Sequence, residues 1–330
     1  MEISPHSQLS VVMVGYFGSE NFRMALDHLR SQTVSTLLEI IIVTRSRKEL
    51  NLASTNLEGF SDYKILEIGE FESEGAAKSA GVMAASAHLV AFMEDHSYPE
   101  PLWAEVLINA HSNGNFAVVG PVMLNANPHC GISWGFFLVL YSQWLVAKPQ
   151  KEVRHLPGNQ SCYRRELLLK YRSRLSEMLE AESVLQWDLL KKGHQLYQDP
   201  TARVYHLNLS RLGPILSECY LYSRIFAGNR AHGWSGIRRN FYALGSTLLP
   251  LIRLRRILKD ASRARLGMAV ILRALMPLFL TLCVGSVGEL IGYAFGKGKA
   301  QERLFGVMSK HHLLYSPRDL EAVSKLHASV

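Results

Sequence analysis

The feature that most constrains this chain is a series of short, continuous apolar runs with helical patterns between them. Residues 9–14 are apolar and partly β-branched, the composition of a strand buried on both faces; a half-exposed strand would alternate. Behind them Ser19 is a residue able to cap a helix, and Phe22, Ala25, Leu26 and Leu29 recur at helical spacing. Residues 39–44 and 63–68 read as the second and third strands. Residues 75–87 read as an alanine-rich helix holding Gly81, and residues 89–93 as a fourth strand. Buried strands alternating with helices predict right-handed crossovers, hence an α/β fold with an open, mainly parallel sheet flanked by helices. Ligands of such sheets gather beyond the carboxyl ends of the strands, where Gly15, Thr44 and Glu94 fall.

Downstream, residues 118–123 predict another strand and residues 131–145 are aromatic and apolar. Residues 156–163 read as a turn into a strand, 165–171 as helical, and 177–192 as a helix stopped by Gly193 at its C′ position. Residues 195–206 close this part with a strand. The composition shifts near Arg211, which sets the expected boundary: residues 1–210 form the α/β domain and residues 211–330 a basic and apolar helical region.

With 48% apolar and 19% charged residues among 330, the chain has the material for a packed core. Its four cysteines (Cys130, Cys162, Cys219, Cys283) form no C-x-x-C pair, which argues against a zinc site or disulfide framework and fits a reducing compartment. Residues 1–8 show no basic segment leading into an apolar run, so no secretory signal is expected. The net charge of +8 is concentrated: from Arg224 to Arg273 Asp260 is the only acid among eleven basic residues. Nucleic acid and an anionic membrane both attract such a block. The neighbouring stretch 266–288, apolar apart from Arg273, selects the membrane and leaves nucleic acid without support. That stretch matches the roughly 20 residues of a bilayer span. Arg273 and the central Pro277 instead predict a re-entrant or interfacial helical pair whose arginines reach headgroups. A helix buried against the first domain or in a homodimer is the alternative. The expected location is the cytoplasmic face of the cell membrane, peripheral or monotopic.

Four segments in order resemble glycosyltransferase family 2, the large group with the Rossmann-like GT-A fold, over roughly two hundred residues. Residues 9–18 match its opening strand and loop. Residues 74–81, with Lys78 inside, match the small-residue helix written A-A-R-N-x-G. Phe92, Met93, Glu94, Asp95 and His96, followed by Pro99 and Trp103, fall where the family has F-L-D-x-D, a proline and an aromatic. Residues 156–166, then Glu180, Glu182 and Gly193, match the acceptor half. The E-D-H variant at 94–96 is similar to a bacterial subset of the family. Thr44, Arg45 and Ser46 stand where the family often places acidic residues to hold the nucleoside.

The resemblance implies an inverting, metal-dependent transfer of a sugar from a nucleotide sugar (UDP-, GDP- or dTDP-linked). The acceptor would be a glycan or a lipid-linked, membrane-presented molecule, as in surface polysaccharide or glycolipid synthesis. Direct transfer to polyprenyl phosphate and a non-catalytic, nucleotide-sugar-binding scaffold are the alternatives. Glu94 and Asp95 offer hard oxygen ligands and His96 an imidazole, a mixture that suits Mn²⁺ at least as well as Mg²⁺. His206 corresponds to the late histidine that closes the metal site in many members. Donor contacts are implied for Gly15, Tyr16, Thr44, Lys78, Glu94, Asp95, Gly158 and Asn159, with Lys78 able to face the diphosphate. A solvent-facing helical lysine is the plain alternative for Lys78. Alignment on Gly193 makes Glu182 the general base, with Glu180 as its rival, and places Trp187 and Asp188 on the acceptor side. Trp103 and Trp134 read as core aromatics or as sugar-stacking platforms.

Overall fold

Strands β1 (Leu9–Gly15) and β2 (Leu38–Thr44) are buried at every residue, as strands covered by helices on both faces must be. The computed structural model describes residues 7–15, 20–50, 52–70, 73–308, 310 and 313–328. The helix cap expected from Ser19 lies outside them. With β3 (Asp62–Glu67) and β4 (Leu89–Met93), the first strands pair in parallel in the order β3-β2-β1-β4. The connections carry α1 (Glu20–Arg30), α2 (Arg47–Leu50) and α3 (Glu74–Ala84). Helix α3 lies close on β1: a side chain at Gly81 would come within 2.4 Å of Val12, so the small residue sets that spacing.

Beyond β4 the sheet turns antiparallel. It continues through β5 (Ser97–Pro99), α4 (Trp103–Asn113), β6 (Phe116–Asn125), β7 (Cys162–Arg164) and β8 (Gln195–His206) to give eight strands in the order β3-β2-β1-β4-β7-β6-β8-β5. The protein is thus an α/β fold with a mixed, mainly parallel sheet flanked by helices, as expected, and helices follow it in the C-terminal part.

Residues group into two packing units. The first is Met1–Leu124, Ala147–His206 and Leu326–Val330; the second is Asn125–Val146 and Leu207–Lys325. A single cut after residue 210 therefore misplaces 125–146. That segment contains α5 (Gly131–Tyr141), whose apolar side chains pack with the C-terminal helices.

In the first unit, the single helix expected over 177–192 is interrupted. After α6 (Arg165–Leu169) come α7 (Leu175–Leu179) and α8 (Glu182–Lys191), separated by Glu180 and a non-helical Ala181 at φ −143°. The break frees Glu180 to accept the Gly75 N–H at 2.5 Å, capping α3 together with Ser73. Gly193 does end α8, in the left-handed conformation at φ +84°.

The second unit is helical: besides α5 it holds α9 (Leu212–Arg230), α10 (Gly236–Gly245), α11 (Leu249–Arg263), α12 (Met268–Phe295), α13 (Ala300–Met308) and α14 (Pro317–His327) as far as Lys325. The expected helical pair over 266–288 is instead one continuous helix of 28 residues. Pro277 removes one donor, leaving the Arg273 carbonyl open. Gly131, at the start of α5, sits so close that a side chain there would come within 2.2 Å of that oxygen. Helix α12 also meets α9 nearly backbone to backbone. Side chains at Gly288 or Gly292 would come within 2.4 Å of the Tyr220 carbonyl and 2.5 Å of the Arg224 carbonyl.

Candidate active site

Glu94 follows the carboxyl end of β4, and His206 is the last residue of β8, so sheet topology brings two distant segments together. The Glu94 carboxylate lies 3.2 Å from His206 Nε2 and 4.0 Å from His96 Nε2. One ligand atom from each of the three residues lies within 4.8 Å of the others. His96 Nδ1 is 2.7 Å from an Asp95 carboxylate oxygen, which fixes the ring with Nε2 toward Glu94. Among the described residues the convergent set is Glu94, His96 and His206, with Asp95 beside it orienting the His96 ring. This set fits a divalent ion, since one carboxylate and two imidazoles meet at coordination spacing. The mixture suits Mn²⁺ better than Mg²⁺.

Glu94 is nearly buried and densely hydrogen-bonded. Asn159 Nδ2 and Gln160 Nε2 each donate to it at 2.5 Å. Burial alone would raise its pKa. The hydrogen bond from His206 and the charges of His96, His206 and Lys78 outweigh that and hold the carboxylate well below its ordinary range. Gln160 also donates to Ser97 at 3.1 Å, and its own carbonyl oxygen is buried without a hydrogen-bond partner among the described residues. The amide must face this way, because the opposite flip would set a carbonyl against a carboxylate.

Asn159 links this cluster to a second one. Its carbonyl oxygen accepts from Lys78 Nζ, which lies 2.9 Å from Glu74 and 2.8 Å from Glu182. Lys78 is only 5% exposed and points inward beside the Phe92 ring, so it is not a solvent-facing helical lysine. Burial acts to lower its pKa, but Glu182 and Glu74 more than compensate and the ammonium is held charged. Glu74 moves the other way: burial raises its pKa, Lys78 offsets only part, and Glu94 and Glu182 add to the rise. Glu182, the first residue of α8, lies under the 158–160 turn. A side chain at Gly158 would come within 2.6 Å of the Glu182 Cβ, Cγ and Cδ atoms. Glycine at 158 is therefore what lets that carboxylate reach Lys78.

The structure thus joins Lys78, Glu94, Asp95, His96, Gly158, Asn159, Glu182 and His206 in one cluster. Glu180, the rival base, is used as the α3 cap. Thr44 is buried and its hydroxyl donates to the Ser46 carbonyl at 3.2 Å, closing the turn after β2. Gly15 is held small by packing, since a side chain would meet Leu50 at 2.7 Å. Tyr16 lies outside the described residues. Asp188 accepts from Tyr171 and sits 2.8 Å from Lys192, while Trp187 packs edge-on to His155 with ring centres 6.2 Å apart. Trp103 is fully buried in the core, and Trp134 donates to the Pro128 carbonyl. Sequence reasoning missed Glu74 and Ser97, and read Gln160 only as one of the amide side chains of the 158–160 turn, suited to sugar hydroxyls or the donor phosphate. Glu74 precedes Lys78 by four residues on α3, the spacing of a helical ion pair, and that signal was readable. Ser97 carried none beyond its place in a polar turn.

No protein-family model and no curated protein matches this chain. Among solved structures it is similar to residues 1–349 of S. aureus TarS in complex with UDP, at TM-score 0.49 and 16% identity, covering 90% of this chain and 92% of that one. The same TarS fragment in complex with UDP-GlcNAc gives TM-score 0.47 and 15% identity over the same shares. Neither likeness assigns a ligand or a residue role to this chain.

Proposed function

We propose that this chain is an inverting, metal-dependent glycosyltransferase acting from a nucleotide-sugar donor, with a lipid-linked or otherwise membrane-presented acceptor. The observation that carries this reading is the single hydrogen-bonded network running from Glu182 through Lys78 and Asn159 to the Glu94–His96–His206 cluster, beyond the end of β4. A sugar transfer needs a proton acceptor for the incoming hydroxyl and positive charge for the departing diphosphate, in one place. Glu182 is the acceptor-side carboxylate: it takes the hydroxyl proton on its oxygen as the new glycosidic bond forms, so no covalent intermediate is required. Lys78 holds that carboxylate in place and adds a fixed positive charge between the two halves of the site. Glu94, His96 and His206 would hold the divalent ion, with Asp95 setting the His96 ring. A bound ion there would act as a Lewis acid on the diphosphate oxygens.

The test is a screen of UDP-, GDP- and dTDP-sugars with the purified chain, Mn²⁺ and a membrane extract, following nucleoside diphosphate release. Release that needs a divalent ion and an acceptor from the extract is the expected result. Donor binding without turnover under all conditions would favour a non-catalytic scaffold, and turnover indifferent to chelation would overturn the metal-dependent reading.

A further inference from the structure

Along α10 and the turn into α11, Ile237, Phe241, Leu244, Leu248 and Leu251 recur every three or four residues and are between 60% and 87% exposed. Single exposed leucines are ordinary on a soluble surface, whereas a continuous stripe marks a contact face. Further along α11 the same helical face changes chemistry, to exposed Arg255, Lys259 and Arg263. Helix α12 carries a second exposed stripe in Met268, Leu272, Met276, Phe279 and Val287. Only 33% of its most apolar 18-residue window is buried, at a mean hydropathy of 2.1, so it is not an enclosed core helix. The three helices form one packed group. Ile257 of α11 sits in a cluster with Ala274, Leu278 and Leu282 of α12, Arg253 pairs with the buried Glu289, and Ala243 of α10 meets Tyr293.

We infer that this apolar and basic face of the second unit docks in the plane of an anionic lipid bilayer. Its apolar stripes enter the acyl boundary and its arginines and lysines meet the headgroup phosphates. Charge selects the bilayer over a second copy of the chain. The basic stretch around α11 has one acid, Asp260, which is 6% exposed, so self-association would set cationic surfaces against each other. The far side of α12 selects lying in the plane over crossing. It packs on α9, where Gly285, inside the apolar stretch, faces the Cys219 carbonyl, and the adjoining Glu218 is buried, a carboxylate that a span would place at hydrocarbon depth. This inference concerns the second unit alone and stands apart from the sugar-transfer reading.

The experiment is co-sedimentation of the full chain with phosphatidylcholine vesicles, with and without phosphatidylglycerol. Wild type is expected to sediment with the anionic vesicles, to bind the neutral ones weakly, and to release as salt is raised. Phe241→Glu with Leu251→Glu should abolish binding. Arg255→Glu with Lys259→Glu, both exposed and clear of the core, should weaken it by more than about fivefold for each charge removed. Circular dichroism melts matching wild type show that either variant is folded, and the charge variant decides the matter if the apolar one is not. Absence of anionic vesicle binding overturns the inference, as does binding unchanged in the charge variant. A dimer by light scattering that Phe241→Glu dissociates, without vesicle binding, assigns the face to a second copy. Resistance of membrane-bound chain to alkaline extraction overturns the in-plane placement. Because vesicle binding needs no donor and nucleotide release can be followed without vesicles, neither failure is mistaken for the other.

Discussion

Lys78 Nζ lies 2.8 Å from a Glu182 carboxylate oxygen and also 2.9 Å from Glu74, so one buried ammonium holds two carboxylates. Removing it leaves both without their counter-charge. Lys78→Met is expected to destabilise the fold by about 3–5 kcal/mol, the usual result of breaking a buried ion pair from one side. Adding Glu74→Gln to that variant should recover part of the loss, because one stranded charge is then gone. Urea unfolding of the single and double variants measures both. A Lys78→Met midpoint equal to wild type would mean the lysine is not held as the structure shows.

Glu182 and Glu180 are two residues apart and do different work. Glu182→Gln keeps the shape of the side chain and removes the proton acceptor. Turnover is expected to fall about 10²–10⁴-fold, with donor affinity nearly unchanged. Glu180→Gln, whose carbonyl oxygen can still accept the Gly75 N–H, should stay within a few-fold of wild type; Glu180→Ala loses that cap and should cost about 1 kcal/mol of stability. Steady-state kinetics beside titration of nucleotide binding separate these outcomes. Equal losses of turnover in Glu180→Gln and Glu182→Gln would remove the assignment of the base.

Gly158 offers a test of position alone. A methyl group there would lie 2.6 Å from three side-chain atoms of Glu182, closer than real contacts allow, so Gly158→Ala must move the carboxylate or the turn. Displacing a reacting group by about an ångström costs on the order of 10²-fold in rate. The overpacking should cost only about 1–3 kcal/mol of stability. Normal turnover in a folded Gly158→Ala chain would show that Glu182 need not be where the turn holds it.

Three of the four parallel strands, β1, β2 and β4, were legible as short buried apolar runs between helical patterns, and Glu94 directly follows one of them. Strand β3 carries Asp62, Lys64 and Glu67 and is half exposed, as fits the edge of the sheet. Periodicity showed His206 only as the end of a strand, and the family resemblance alone marked it as a candidate ligand; its partnership with Glu94 is set by β5–β8 pairing, a long-range contact that local patterns do not encode. The break at Glu180–Ala181 was hidden because both residues suit a helix, and the interruption comes from a tertiary demand, the open N–H of Gly75. Helix α12 was misread as a pair for the opposite reason. Pro277 signals an interruption locally, yet packing against α5 and α9 keeps the helix continuous across it. Segment 125–146 joined the second unit because its apolar side chains pack there, which no composition shift announces.

His111, on α4, gives a pH dependence with a definite sign. It is 3% exposed, and its Nε2 lies 3.2 Å from the Cys162 carbonyl. Burial lowers its pKa from 6.5 to about 4, more than that hydrogen bond restores. Above pH 6.5 the ring is neutral in the folded and unfolded chain alike, and its contribution is fully present. As pH falls from 6.5 toward 4 the unfolded chain takes up a proton that the native ring refuses, so stability declines, by up to about 1.4 kcal/mol per pH unit. His111→Gln can keep a side-chain N–H directed at Cys162 without titrating. Between pH 7 and pH 5 wild type should therefore lose about 2 kcal/mol more than the variant, read as the difference in urea unfolding free energies. Parallel losses in the two proteins would mean that His111 is not held neutral by its surroundings.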